Sequence, residues 1–181
     1  MTYFYSNNKD FDNIDNILLE LGILISLEDT EVLKKIKLAT SNPKEFYENN
    51  KKDLEPYWIY EETKDDVIEE VSTIEILKNA KYLYSFSWST SLSGIKSELE
   101  KSKIVKKYDL NLDSDFLEKG LTPTDWFEVL DESWREKGFT LAGFNINNDS
   151  YEVFITKEDN FEKIIELTDK LGAEAKRAKD L

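Results

Sequence analysis

Three Ser-x-x-Lys pairs, Ser6/Lys9, Ser41/Lys44 and Ser93/Lys96, place a hydroxyl where a lysine could act as its base. The last falls at a predicted helix start, where a nucleophile of this type would sit. The chain has 14 serines and 22 lysines, however, so about two such matches arise by chance, and the companion Lys-Thr-Gly and Ser-Asp-Asn elements are absent. Ser93 reads as a helix cap. Two stretches, Asp109-x-Asn111-x-Asp113 and Asn145-x-Asn147-x-Asp149, imitate the opening of a calcium loop. Such a loop needs glycine at its sixth position and a bidentate glutamate at its twelfth. Ser114 or Ser150 and Gly120 or Thr156 stand there instead, and no metal ligand is assigned. Paired acids are the remaining option: Glu128, Asp131, Asp149 and Glu152 would be catalytic only if a cleft joined them and split their pKa values.

The missing residue types exclude more. Without His or Cys the chain has no imidazole base, thiol nucleophile, disulfide, thiolate zinc site or iron–sulfur cluster. Its six glycines are scattered and make neither a P-loop nor a dinucleotide fingerprint. No cofactor is implied. The 38 acidic residues against 24 basic ones give a net charge of −14, which repels nucleic acid and anionic membranes and speeds encounter with a basic protein. Solubility alone is the plain alternative.

The acids concentrate from Glu61 to Glu70, beside Tyr57, Trp58 and Tyr60. Aromatic anchors rimmed by carboxylates suit capture of a basic protein. Trp58, Tyr60, Glu62, Asp65, Asp66 and Glu69 are therefore the candidate partner-binding residues, with Trp88 from a second aromatic run. As the alternative, the acids form the wet side of an amphipathic helix and the second run is core.

Helical spacing must position the first group. Phe11, Ile14, Ile17, Leu18 and Leu21 share a face, with Gly22 as a possible end; a second helix covers about 29–39. Asn42-Pro43 opens a short third one. Thr63 and Asp66 look like a variant capping box for a helix with Val67, Ile68, Val71, Ile74 and Leu77 inward and Glu62, Asp65, Asp66, Glu69 and Glu70 largely outward. From Lys81 the period becomes two, aligning Tyr82, Tyr84, Phe86 and Trp88 on one strand face. If that strand lay at a sheet edge, it could receive a partner. One helix is expected over 94–107, then a polar loop over 109–115. Thr122-Pro123-Thr124-Asp125 is the clearest helix start, with Gly138 closing that helix. Two strands, 139–146 and 151–156, flank an Asn147–Ser150 turn. A helix from about Asp159 buries Phe161, Ile164, Ile165 and Leu171, and Lys176, Arg177 and Lys179 extend it or fray.

These elements predict one α+β domain over 1–181, with three to four mostly antiparallel strands and about six or seven helices. The polar start shows no secretory signal, and the apolar run 21–27 is far short of the roughly 20 residues of a membrane span. A cytoplasmic location is expected.

From Tyr84 onward the chain resembles an uncharacterised bacterial family of unknown function, marked by an Asp-Trp-Lys strand and a late Asp-Ser-Asp-Ser-Tyr hairpin. Phe86-Ser87-Trp88-Ser89 corresponds to the first element. Asn147-Asn148-Asp149-Ser150-Tyr151 with Glu152-Val153-Phe154 corresponds to the second, and the helix over 159–171 also fits. Ser87 and Ser89 replace charged residues of that pattern. The resemblance implies an α+β domain and no established activity. In general type the chain is also similar to bacterial toxin-immunity proteins, being small, acidic and without a catalytic motif. The expected function is thus a non-enzymatic acidic binding protein, most specifically an immunity protein occluding a basic toxin. A carboxylate-based hydrolase with an oxygen-ligated divalent metal, or a regulatory homo-oligomer, are the alternatives.

Overall fold

The computed structural model describes residues 13–113, 121–145 and 150–181. Helices α1 (Ile14–Ser26) and α2 (Thr30–Ser41) pack together, and the Asp29 side chain caps α2 by accepting from the N–H groups of Glu31 and Val32. Gly22 does not end α1. It lies within the helix, where a Cβ would run into Ile36 Cδ1 of α2, so the glycine permits close helix approach. Leu27, with φ 51°, ends α1 instead. Phe11 lies outside the described residues.

As expected, α3 (Pro43–Asn49) begins with proline and buries Phe46 and Tyr47. A short α4 (Lys51–Leu54) and a 3-10 turn (Glu55–Tyr57) follow, and the chain from Trp58 to Tyr60 continues as a loop. The expected capping box of α5 (Asp65–Asn79) does not form. Lys64 holds the cap position, and Thr63 Oγ1 instead accepts from the Tyr60 N–H at 2.9 Å. Helix α5 packs against α1, α2, α3, α4 and β1 (Leu83–Ser87). With so many neighbours it has no continuous wet side, and Glu69 and Glu70 are buried beside Ser72 and Thr73.

The sheet order is β1-β3-β2-β4, every pairing antiparallel, with β2 (Phe139–Phe144), β3 (Ser150–Lys157) and β4 (Ala175–Arg177). The expected hairpin aligns Phe139 with Lys157 and Phe144 with Glu152; residues 146–149 of its turn lie outside the described residues. Alternation along β3 separates two helix layers. On one face Phe127 of α8 (Pro123–Arg135) meets Tyr151 at 5.8 Å and Phe86 at 5.9 Å. On the other, Glu152 bonds Lys78 of α5, and Thr156 donates to the Leu24 carbonyl of α1.

Helix α8 has the predicted capping box, and Gly138 (φ 77°) follows it. The single helix expected over 94–107 is two, α6 (Leu92–Leu99) and α7 (Lys103–Tyr108). Ser91 caps the first, in place of Ser93. Ser102 breaks the run and caps the second, accepting from the Ile104 and Val105 N–H groups. In the 109–113 loop Leu110 and Leu112 turn inward. After a 3-10 turn (Glu158–Asn160), α9 (Phe161–Lys170) buries Phe161, Ile164 and Leu167, while Ile165 is half-buried.

The basic tail neither extends α9 nor frays. Lys176 and Arg177 lie in β4 and Lys179 in a 3-10 turn (Ala178–Asp180) after it; Arg177 pairs with Glu158 and approaches Asp131, while Ala175 and Ala178 are buried. Nine α-helices among the described residues, two more than the upper expectation, leave the α+β class intact; α4 and α7 are the additions.

Candidate functional site

The loop from Trp58 to Lys64 is held from three directions. Ile59 is buried in the core, which turns its neighbours Trp58 and Tyr60 outward, 67% and 45% exposed. The Trp58 N–H donates to the Glu55 carbonyl, and the residue takes a left-handed φ of 59°. Lys44 Nζ, from α3, donates to the carbonyls of Glu61 (2.8 Å) and Thr63 (2.5 Å) and lies 3.6 Å from the Asp65 carboxylate. Just before the loop, Tyr57 donates its hydroxyl to Glu75 of α5 at 2.5 Å. Two large aromatic surfaces are thus presented on an anchored backbone, so little ordering entropy remains to be lost on binding.

The acids divide by position. Glu62 and Asp65 are exposed and Asp66 is half-buried, giving the loop its negative rim. Glu69, also expected on that rim, is 8% exposed, and its Oε2 has no hydrogen-bond partner. Burial first, then the carboxylates of Asp15, Asp65, Asp66 and Glu70, push its carboxyl up to about 7. Trp88 is 65% exposed but has left the strand face it was expected to share with Tyr84 and Phe86. Strand β1 stops at Ser87, where a turn closes with Thr90 N–H donating to the Ser87 carbonyl and Ser87 N–H to Thr90 Oγ1. That turn is a separate loop, although β1 is indeed an edge strand.

Three of the four carboxylates considered for catalysis lie among the described residues, and each is engaged. Glu152 is buried on β3, accepting from Lys78 Nζ at 3.0 Å and from Ser85 Oγ at 2.8 Å; burial raises its pKa despite both donors. Asp131 is buried on α8 and accepts from Thr140 Oγ1 (2.6 Å), the Leu141 N–H (2.8 Å) and Arg135 (2.6 Å). Glu128 pairs with Lys179 at 2.8 Å. Asp149 lies outside the described residues.

Lys96 pairs with Asp113 rather than serving Ser93, whose Oγ is 3.0 Å from Ser91 Oγ. Ser6 and Lys9 lie outside the described residues. In the first calcium-like stretch, Asn111 Oδ1 accepts from the Asp113 N–H, an Asx turn; Ser114 and Gly120, its sixth and twelfth positions, also lie outside. Among the described residues no group of three or more acids is placed to hold a metal ion.

Sequence reasoning missed Lys44 as the clamp of the aromatic loop. Its partners are backbone carbonyls 17 and 19 residues away, and spacing carries no signal for such a contact. Ile59 could have been read from the alternation Trp58-Ile59-Tyr60.

Sheet, helices and anchored loop define an α+β protein with an acidic, aromatic surface at the start of α5. The chain belongs to the family described as Domain of unknown function (DUF6630), whose model matches residues 17–179. The stretches 86–89 and 147–154 fall within that span, and the resemblance to a family of unknown function holds at that level. No curated protein and no solved structure matches the chain. Among the described residues no helix is long and apolar enough to cross a membrane.

Proposed function

We propose that this protein is a non-enzymatic binding protein that grips a basic protein partner through the surface from Trp58 to Asp66. Most specifically, it is a bacterial, cytoplasmic immunity protein that neutralises a toxin by covering it. The observation that carries this reading is the pair Trp58 and Tyr60, held outward on a clamped loop beside Glu62, Asp65 and Asp66. Aromatic side chains kept rigid in water are the kind that dominate binding energy once a partner desolvates them, and a carboxylate rim steers a cationic partner.

The test is affinity capture from the source cell, followed by association kinetics with the captured protein. Association should slow as salt rises, and Glu62→Lys with Asp66→Lys should cut the on-rate about tenfold or more. Trp58→Ala should act chiefly on the off-rate, with Trp88→Ala as a separate arm for the second exposed aromatic. Glu69 is left out because a lysine there would be buried. Unchanged binding and unchanged salt response in the reversed variant would show that the surface lies elsewhere.

A further inference from the structure

Two tryptophans stand in water to almost the same degree, Trp58 at 67% and Trp88 at 65%, in opposite electrostatic settings. Trp88 lies in a run, Tyr82 to Ile95, that contains no charged residue. Trp58 lies in the stretch 44–66, where eight acids stand against four lysines. Two of those lysines are committed, Lys44 to the carbonyls of Glu61 and Thr63 and to the Asp65 carboxylate, and Lys51 to Glu48 at 2.8 Å. Glu61 and Glu62 are exposed at the centre of a turn that the Thr63 N–H closes on the Tyr60 carbonyl at 3.0 Å. Neither side chain forms an ion pair among the described residues.

Rings next to this loop already carry cations. Lys51 Nζ lies over Tyr47, 5.4 Å from the ring centre, and Lys78 Nζ over Tyr57 at 5.7 Å. Trp58 and Tyr60 carry none among the described residues, although indole attracts a cation more strongly than any other side-chain ring. The loop thus offers an open π face and two uncompensated carboxylates on one anchored backbone.

The kind of cation follows from what must be satisfied together. An ammonium is compact and strongly hydrated, so resting on a ring strips water that it does not recover. A guanidinium is planar and weakly hydrated: its flat face can cover the indole while the N–H groups at its edge donate to carboxylates. An apolar side chain would cover the ring as well, but it would leave the carboxylates unmatched. We propose, building on the partner surface assigned above, that the partner presents an arginine whose guanidinium stacks on the Trp58 indole and donates from its edge to Glu61 and Glu62. Trp88, in its uncharged run, takes no cation.

The full chain supplies its own control, because each exposed indole gives a separate Nε1–H signal. Titration with acetyl-Arg-Gly-Arg-Gly-Arg-amide at about 150 mM NaCl, which screens unspecific attraction, should move the Trp58 signal saturably with a Kd of about 1 mM. The Trp88 signal should stay in place. The lysine peptide of equal charge should bind about threefold more weakly or worse. Trp58→Leu keeps apolar bulk and removes the π face; followed at the Tyr60 and Thr63 amides, it should weaken the arginine peptide about threefold, with Trp58→Phe in between. Glu61→Gln with Glu62→Gln should weaken it about fivefold, with native spectra. No saturable movement at Trp58, an equal shift at Trp88, equal affinity for the two peptides, or undiminished binding by Trp58→Leu would overturn the proposal. The partner surface itself is judged by the salt and charge-reversal response of the captured partner. If that response holds while the arginine peptide fails, the surface stands and arginine is the wrong occupant; if both fail, the surface is wrong as well.

Discussion

Glu69 is a carboxyl placed where ionisation is costly: buried in α5, facing Asp15 of α1, with Asp65, Asp66 and Glu70 on its own helix. Its pKa stands at about 7 in the folded protein against an ordinary value of 4.5. Between these values the folded state holds the extra proton, so the group's contribution to stability is complete below 4.5 and is lost as pH rises through about 7. Glu69→Gln removes the titration and keeps the shape. The variant should be more stable than the parent by about 1–2 kcal/mol at pH 8, after discounting for solvent near the helix start. Its stability should also fall less steeply between pH 5 and about 7.5, measured by urea unfolding. Parallel curves for the two proteins would mean that Glu69 is ordinary. The sequence showed that Glu69 shares a helix start with other acids. It could not show burial, because helical spacing tells which residues share a face but not whether water covers it.

At the scale of elements, what was legible is what local chemistry decides. Thr122-Pro123-Thr124-Asp125 caps α8 because its hydroxyl, ring and carboxylate act within one turn. Asn42-Pro43 and the β2–β3 hairpin follow similarly short-range rules. What escaped depends on distant partners: β4 exists because Arg177 meets Glu158 and Asp131, and Gly22 sits mid-helix because Ile36 of α2 lies against it. Lys44 clamping the aromatic loop belongs to the same class, so the candidate site was legible in its residue types but not in its rigidity. Gly143, which sequence reading left without a role, gives the sharpest test. A Cβ there would collide with the Glu152 backbone carbonyl on β3 and with Leu181. Backbone within a paired sheet cannot yield as a side-chain end can, so Gly143→Ala should cost about 2–3 kcal/mol by chemical denaturation. Gly138→Ala is the contrast: its Cβ would meet nothing within 4 Å, and only the φ of 77° opposes it. That should cost about 1–2 kcal/mol. Equal losses would show that crowding at Gly143 is relieved elsewhere.

For the whole molecule, one quantity governs both folding and encounter. A net charge of −14 on 181 residues repels itself in the compact state and draws in cations from a distance. Exposed ion pairs such as Lys34–Glu31 and Lys163–Glu166 oppose the first effect, but each contributes only about 0–1 kcal/mol. Added salt screens both kinds of interaction, and relief of the net repulsion outweighs the weakening of the pairs. Raising NaCl from about 20 to 300 mM should therefore raise the melting temperature by about 2–5 °C. Over the same range the association rate with a basic partner should fall, because steering is screened as well. The two responses have opposite signs and a common origin, so they are best measured together by calorimetry and stopped-flow mixing in matched buffers. A melting temperature that drops with salt would mean that the ion pairs dominate the repulsion. The excess acid would then be balanced within the fold, rather than held in readiness for a cationic surface.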